Sequence, residues 1–138
     1  METTTHEEIH KIETPRWMLD LFKAIDALDL SASAGFSLFT EDVDLVFGSQ
    51  HVAGIDNVKA FFKKLDEPYS TIHHVQAVFQ TGNAYLMQGS AELRSNTDKS
   101  ATPIFVEPLF NLLYLNDKGK VTNYVVSAPP EAIKAVLG

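Results

Sequence analysis

The sequence predicts an α+β domain in which helices come first and a run of antiparallel strands follows. Three observations predict it. Apolar residues near the start recur at helical spacing, as in Trp17, Met18, Leu21, Phe22, Ile25 and Leu28. From Thr71 onward the chain breaks into β-type segments separated by turn signals such as Gly82-Asn83 and Asn116-Asp117-Lys118-Gly119. Helical and strand segments are segregated along the chain rather than alternating.

Each element follows from local pattern. Residues 1–14 are polar and read as a flexible tail, which leaves 15–138 as one domain. Pro15 suits the first turn of a helix reaching Leu28, with Thr14 as its N-cap. A shorter helix is expected over Ser31–Phe39. Val43, Leu45 and Phe47 then alternate with their neighbours as a short strand that ends at Gly48. After Gly54, the residues Ile55, Val58, Phe61, Phe62 and Leu65 return to helical spacing, and Pro68 stops that helix. Strands are expected at Thr71–Gln80, Ala84–Ser95, Thr102–Leu115 and Val121–Ser127. Pro129-Pro130 leads into a short helix, Glu131–Leu137.

The strand at Thr102–Leu115 is apolar on both parities. Thr102, Ile104, Val106, Phe110 and Leu112 share one face by alternation; Phe105, Leu109 and Leu113 share the other. Helices can cover only one face of so small a sheet. The other is expected to pack against a second copy, giving a homodimer.

Bulk properties narrow the function. A chain of 138 residues can bury a core without staples. It has no cysteine, which excludes disulfides, thiolate catalysis and cysteine-held metals. The net charge of −7 and the lack of any basic cluster argue against nucleic acid as partner. No secretion signal and no apolar run of about 18 residues is visible, so no membrane partner is expected and the location is expected to be cytoplasmic.

Few motifs carry chemistry. His6-Glu7-Glu8-Ile9-His10 fits H-E-x-x-H, yet it lies in the polar tail without an apolar helix face, so no metal site is expected. Nucleotide loops and a nucleophile elbow are absent from the sequence, so catalysis without a cofactor is expected, by acid–base or electrostatic means. Within TIHHV, His73 shares parity with Val75, Ala77 and Phe79 and points inward, whereas His74 has the outward parity of Gln76. Histidine exchanges protons near neutral pH, so an inward one is a candidate acid or base. Asp26 follows Met18 by about two helical turns and can face the same interior. Glu107 and Asn111 are polar residues in the most apolar strand, and Tyr85 and Tyr124 can donate from an apolar wall.

The stretches RWMLDLFKAIDALDL, LFTEDVDLVFG, AGIDNVKAFFKKL and TIHHV resemble, in their order and spacing, the SnoaL-like branch of the nuclear-transport-factor-2-like superfamily. The resemblance spans Arg16 to Ser127. It implies a cone-shaped, curved antiparallel sheet packed against about three helices and enclosing a pocket. Polyketide cyclases, ketosteroid isomerase, scytalone dehydratase, limonene epoxide hydrolase and cofactor-free natural-product isomerases share that shape, as do many non-enzymes. In the dehydratase pattern, Asp26 and His73 would orient each other near a bound water. The second histidine of that pattern is replaced here by Met87-Gln88. Phe47 stands where ketosteroid isomerase has its base, and Ser127 near the late aspartate of cyclases.

The expected function is a cofactor-independent isomerase, cyclase or dehydratase acting on a small, largely apolar or amphipathic natural-product-like molecule. Asp26 and His73 would move protons. Trp17, Phe47, Phe62, Tyr85, Gln88, Phe105, Glu107, Asn111 and Tyr124 would contact the substrate. The alternative is a non-catalytic module that binds small molecules or dimerises.

Overall fold

A computed structural model describes residues 8–29, 31 and 35–137. The expected α+β class is found. Three helices lie against a seven-stranded, curved, open sheet with strand order β1-β4-β5-β6-β7-β2-β3. The strands are β1 (His10–Ile12), β2 (Phe39–Phe47), β3 (Gln50–Ala53), β4 (Tyr69–Thr81), β5 (Ala84–Ser95), β6 (Ile104–Leu115) and β7 (Val121–Ser127). The helices are α1 (Arg16–Ala27), α2 (Ile55–Leu65) and α3 (Pro130–Leu137). All neighbouring strands are antiparallel except β2 and β7, which run parallel.

Several expectations change. His10–Ile12 is not tail but a short edge strand paired with β4; His6 and Glu7 lie outside the described residues. The N-cap of α1 is Pro15, not Thr14, and its carbonyl accepts from Met18 and Leu19. Of the helix expected over Ser31–Phe39, a single 3-10 turn at Gly35–Leu38 is found, residues 32–34 lie outside the described residues, and Phe39 already belongs to β2. The strand β3 was not expected; four residues are too few for a periodic signal.

Cross-strand registers define the two faces of the sheet. One inward row runs Gln80, Tyr85, Leu113, Tyr124, Leu45, and the next runs Val78, Met87, Asn111, Val126, Phe47. Beyond them lie Val75, Gly89, Leu109, then His73, Ala91, Val106. Helices α1 and α2 press Met18, Leu21, Phe22, Ile25, Val58 and Phe62 onto this concave side. On the outer face Phe79, Leu86, Leu112, Val125 and Val46 form one apolar row, while in another Ile72 and Phe105 flank Glu92, which pairs with Arg94.

Irregular registers explain where simple alternation fails. Pairing between β4 and β5 slips between Val75 and Ala77, which turns Val78 inward and sends Ala77 and Phe79 outward. Pairing of β5 with β6 slips opposite Glu107-Pro108, so Val106 and Leu109 face the same way. Leu109, Asn111 and Leu113 therefore continue the inner face of Val106, while Phe105, Phe110 and Leu112 are outside. Gly89 makes the first slip possible, because a Cβ there would collide with the His74 carbonyl.

Candidate active site

The concave face closes at one end and opens at the other. At the closed end Val78, Met87, Leu113 and Leu45 are fully buried. At the other end a cavity of about 70 Å³ remains. Its walls are Ile25 from α1, Phe62, Leu65 and Asp66 from the end of α2, and Tyr69, Thr71 and His73 from β4. Inner residues of β5 to β7 and Phe47 of β2 complete the sheet side, and Ala132, Ile133 and Val136 of α3 complete the rim. Helix α3 buries none of its residues fully. It seats at Gly48, whose φ of +59° sets the turn after β2 and where an added Cβ would come within 2.6 Å of Ile133.

Asp26 and His73 meet. The Asp26 carboxylate accepts from the backbone N–H of His73 at 3.0 Å and from its Nδ1–H at 2.5 Å. Phe22, one helical turn before Asp26, stacks on the imidazole with centroids 4.9 Å apart and planes inclined by 18°. Carboxylate and ring are 22% and 10% exposed. Two bonds and a stacking partner fix the ring and its tautomer: Nδ1 carries the proton, and Nε2 is left with the free lone pair. His73 lines the cavity, whereas Asp26 faces a surface groove between α1 and β4 that also holds Lys23 and His74.

Two further polar groups belong to the cavity. Tyr124 is 1% exposed, and its hydroxyl has no hydrogen-bond partner among the described residues. Burial, helped by the Asp26 charge, pushes that hydroxyl above its ordinary value, so it stays protonated and can donate. Asp66 is half-buried. Burial raises its carboxyl to about 6, the charge of Asp26 adds to the rise, and His73 pulls the other way. The sequence reading did not single Asp66 out. The available signal is its spacing, since it extends the stripe Val58, Phe62 by one more helical turn.

The other expected substrate contacts divide. Phe47, Phe62 and Tyr124 line the cavity. Trp17 and Tyr85 meet edge to face at 5.2 Å at the closed end, where Gln80 donates to the Tyr85 hydroxyl; neither is in the cavity wall. Asn111 is inward and fully buried, one strand from the wall residue Val126, with its Oδ1 unpaired. Gln88, Phe105 and Glu107 lie on the outer face. Phe105 is 65% exposed, and Glu107 is exposed and accepts from Gln76. The slip at Glu107-Pro108 puts Phe105 and Glu107 there by reversing alternation, whereas Gln88 is outside because β5 alternates without a break from the inward Met87. Among the described residues no group of three or more histidines, aspartates or glutamates could hold a metal ion, and no helix is long and apolar enough to cross a membrane.

No model of a protein family matches the sequence, and no curated protein does. Solved structures do match. A protein from Shewanella denitrificans described as a SnoaL-like polyketide cyclase superposes with a TM-score of 0.72 at 17% identity, over 88% of this chain and 94% of its own. A protein of ketosteroid isomerase-like fold from Catenulispora acidiphila, in complex with trimethylamine, gives 0.74 at 15% identity over 90% and 93%. An epoxide hydrolase of the limonene epoxide hydrolase type from M. tuberculosis gives 0.69 at 12% identity over 88% and 87%. At these identities the likeness is one of fold, and the fold of this chain is the α+β cone of the SnoaL-like and nuclear-transport-factor-2-like proteins.

Proposed function

We propose that the chain is a cofactor-independent acid–base enzyme, an isomerase, cyclase or dehydratase of a small, largely apolar molecule. The carrying observation is the clamp of Asp26 on His73, which holds the ring in the wall of an apolar cavity. His73 Nε2 takes a proton from the substrate. Asp26 stabilises the imidazolium that results, and its groove gives the pair access to water. Tyr124 donates to a substrate oxygen. Enzymes and a small-ligand complex among the structural neighbours support this reading without fixing the reaction.

The reading places the enzyme in the cytosol as a homodimer joined through the outer face, where Ile72, Phe105 and Tyr114 are exposed beside the apolar row of Phe79 and Leu112. Sedimentation equilibrium at micromolar concentration should give a dimer, and Phe105→Glu a monomer. A monomeric parent protein would remove the dimer.

Hydrogen–deuterium exchange of cyclohexanone in heavy water, followed by proton NMR, tests the chemistry. The protein should accelerate exchange beyond an equal concentration of free imidazole, and His73→Ala should remove about a hundred-fold or more of that gain. Exchange that His73→Ala leaves intact would refute His73 as the base.

One observation favours a second reading, a non-catalytic module. The cavity of about 70 Å³ is roughly half the ~150 Å³ that accommodates benzene in an apolar core. A ring enters only if the lightly held α3 moves. Failure of cyclohexanone to bind at millimolar concentration would favour this alternative.

A further inference from the structure

The geometry points to Asp66 as the proton donor of the cavity whose wall it shares with His73, in a site that takes an uncharged molecule presenting an oxygen acceptor. This deepens the acid–base reading and rests on it.

Asp66 follows the last turn of α2, and its backbone N–H closes that turn on Phe62. The loop after it is pinned from β5's end: Asn96 Nδ2 donates to the carbonyls of Asp66 at 2.8 Å and Glu67 at 3.2 Å, and Ser70 donates to Asn96 Oδ1. The backbone is therefore fixed while the carboxyl, in the cavity wall, has no hydrogen-bond partner among the described residues. The titratable groups around it are Tyr69 and His73 of β4, Tyr124 of β7 and, behind the ring, Asp26 of α1. Helix α3 presents only Ala132, Ile133 and Val136. Among the described residues no lysine or arginine is in the wall; Lys64 and Glu67 border an outer groove, and Lys23 lies in the Asp26 groove.

A wall with one carboxyl and, among the described residues, no cation disfavours anions. An unpaired carboxyl among apolar residues holds its proton and can hand it over. For a ketone the step balances. His73 Nε2 takes a proton from the carbon beside the carbonyl, and the Asp66 proton passes to the carbonyl oxygen. The products are a neutral enol, an imidazolium and a carboxylate. Reprotonation of carbon by His73 and return of the hydroxyl proton to Asp66 restore both residues.

Two measurements test this on the full chain. Carbon-13 NMR of labelled aspartate, with Asp66 assigned by its loss in Asp66→Asn, should show a carboxyl titrating near 6. Cyclohexanone should bind more weakly above that point in the parent protein and independently of pH in Asp66→Asn. Its exchange rate should fall on the alkaline side in the parent and lose that limb in Asp66→Asn, with a drop of about a hundred-fold at the optimum. An Asp66 carboxyl that titrates in the ordinary range, an unchanged profile in Asp66→Asn, or cyclohexylammonium binding more tightly than cyclohexanone about one pH unit below the Asp66 titration point would overturn the assignment. If no variant accelerates exchange yet Asp66 still gates cyclohexanone binding, the acid–base reading falls and the donor assignment stands.

Discussion

Helices α1 and α2 end alike and behave differently. In α1 the stripe Met18, Phe22 runs on to Asp26, and in α2 the stripe Val58, Phe62 runs on to Asp66. Spacing alone makes the two aspartates equivalent. What separates them is the strand each meets. Asp26 finds the backbone and ring N–H groups of His73 and accepts from both. Asp66 finds apolar wall and the negative charge of Asp26, which together raise its carboxyl to about 6. Two carboxyls with opposed environments are what the proposed acid–base chemistry calls for, one orienting His73 from behind and one lining the cavity.

Breaking the first half of the comparison should have the largest effect. Asp26→Asn keeps the shape but offers the ring an amide, so the tautomer is no longer fixed. Cyclohexanone exchange should fall by about a hundred-fold or more, and urea unfolding should show a loss of roughly 2 kcal/mol for the charge-assisted bonds. Loosening the second half is milder. Asn96→Ala removes the pins on the Asp66 loop and should cost about 1–2 kcal/mol in the same experiment.

The smallest change sharpens the contrast. The carboxyl of Asp66 is raised in the folded state from 3.8 to about 6. Its contribution is thus fully present below its unfolded value and lost as pH rises through its folded one. Asp66→Asn removes that loss. Relative to the parent protein, the variant should gain on the order of 1 kcal/mol between about pH 4 and pH 8, an amount reduced by the solvent-facing side of the carboxyl. A difference constant across that range would mean that the two helix ends are not electrostatically distinct.

The elements were largely legible because they rest on periodicity: Trp17 to Leu28 and Ile55 to Leu65 show helical stripes, and β5 and β7 have the expected bounds. The faces of β4 and β6 were less so. Alternation holds only without a slipped residue: the slip beside Gln76 turned Ala77 and Phe79 outward, and the slip at Glu107-Pro108 did the same to Phe105 and Glu107, while Gln88 faces out by the plain alternation of β5. The juxtaposition of Asp26 and His73 came through resemblance, since no local spacing links residues so far apart. Asp66 carried a readable sign in its spacing from Phe62, but a helix-end acid is more often a solvated cap.

Strand β2 lies parallel to β7, pairing Phe47 with Val126 and Leu45 with Tyr124. Apart from the hairpin to β3, β2 must wait for a partner made much later in the chain, so its docking carries the largest loop-closure entropy in the sheet. The meander from β4 to β7 can form from neighbours alone. Phe47 on β2 and Tyr124 and Val126 on β7 are cavity wall. The cavity is therefore expected to assemble in the slow phase of folding, after the meander that carries His73.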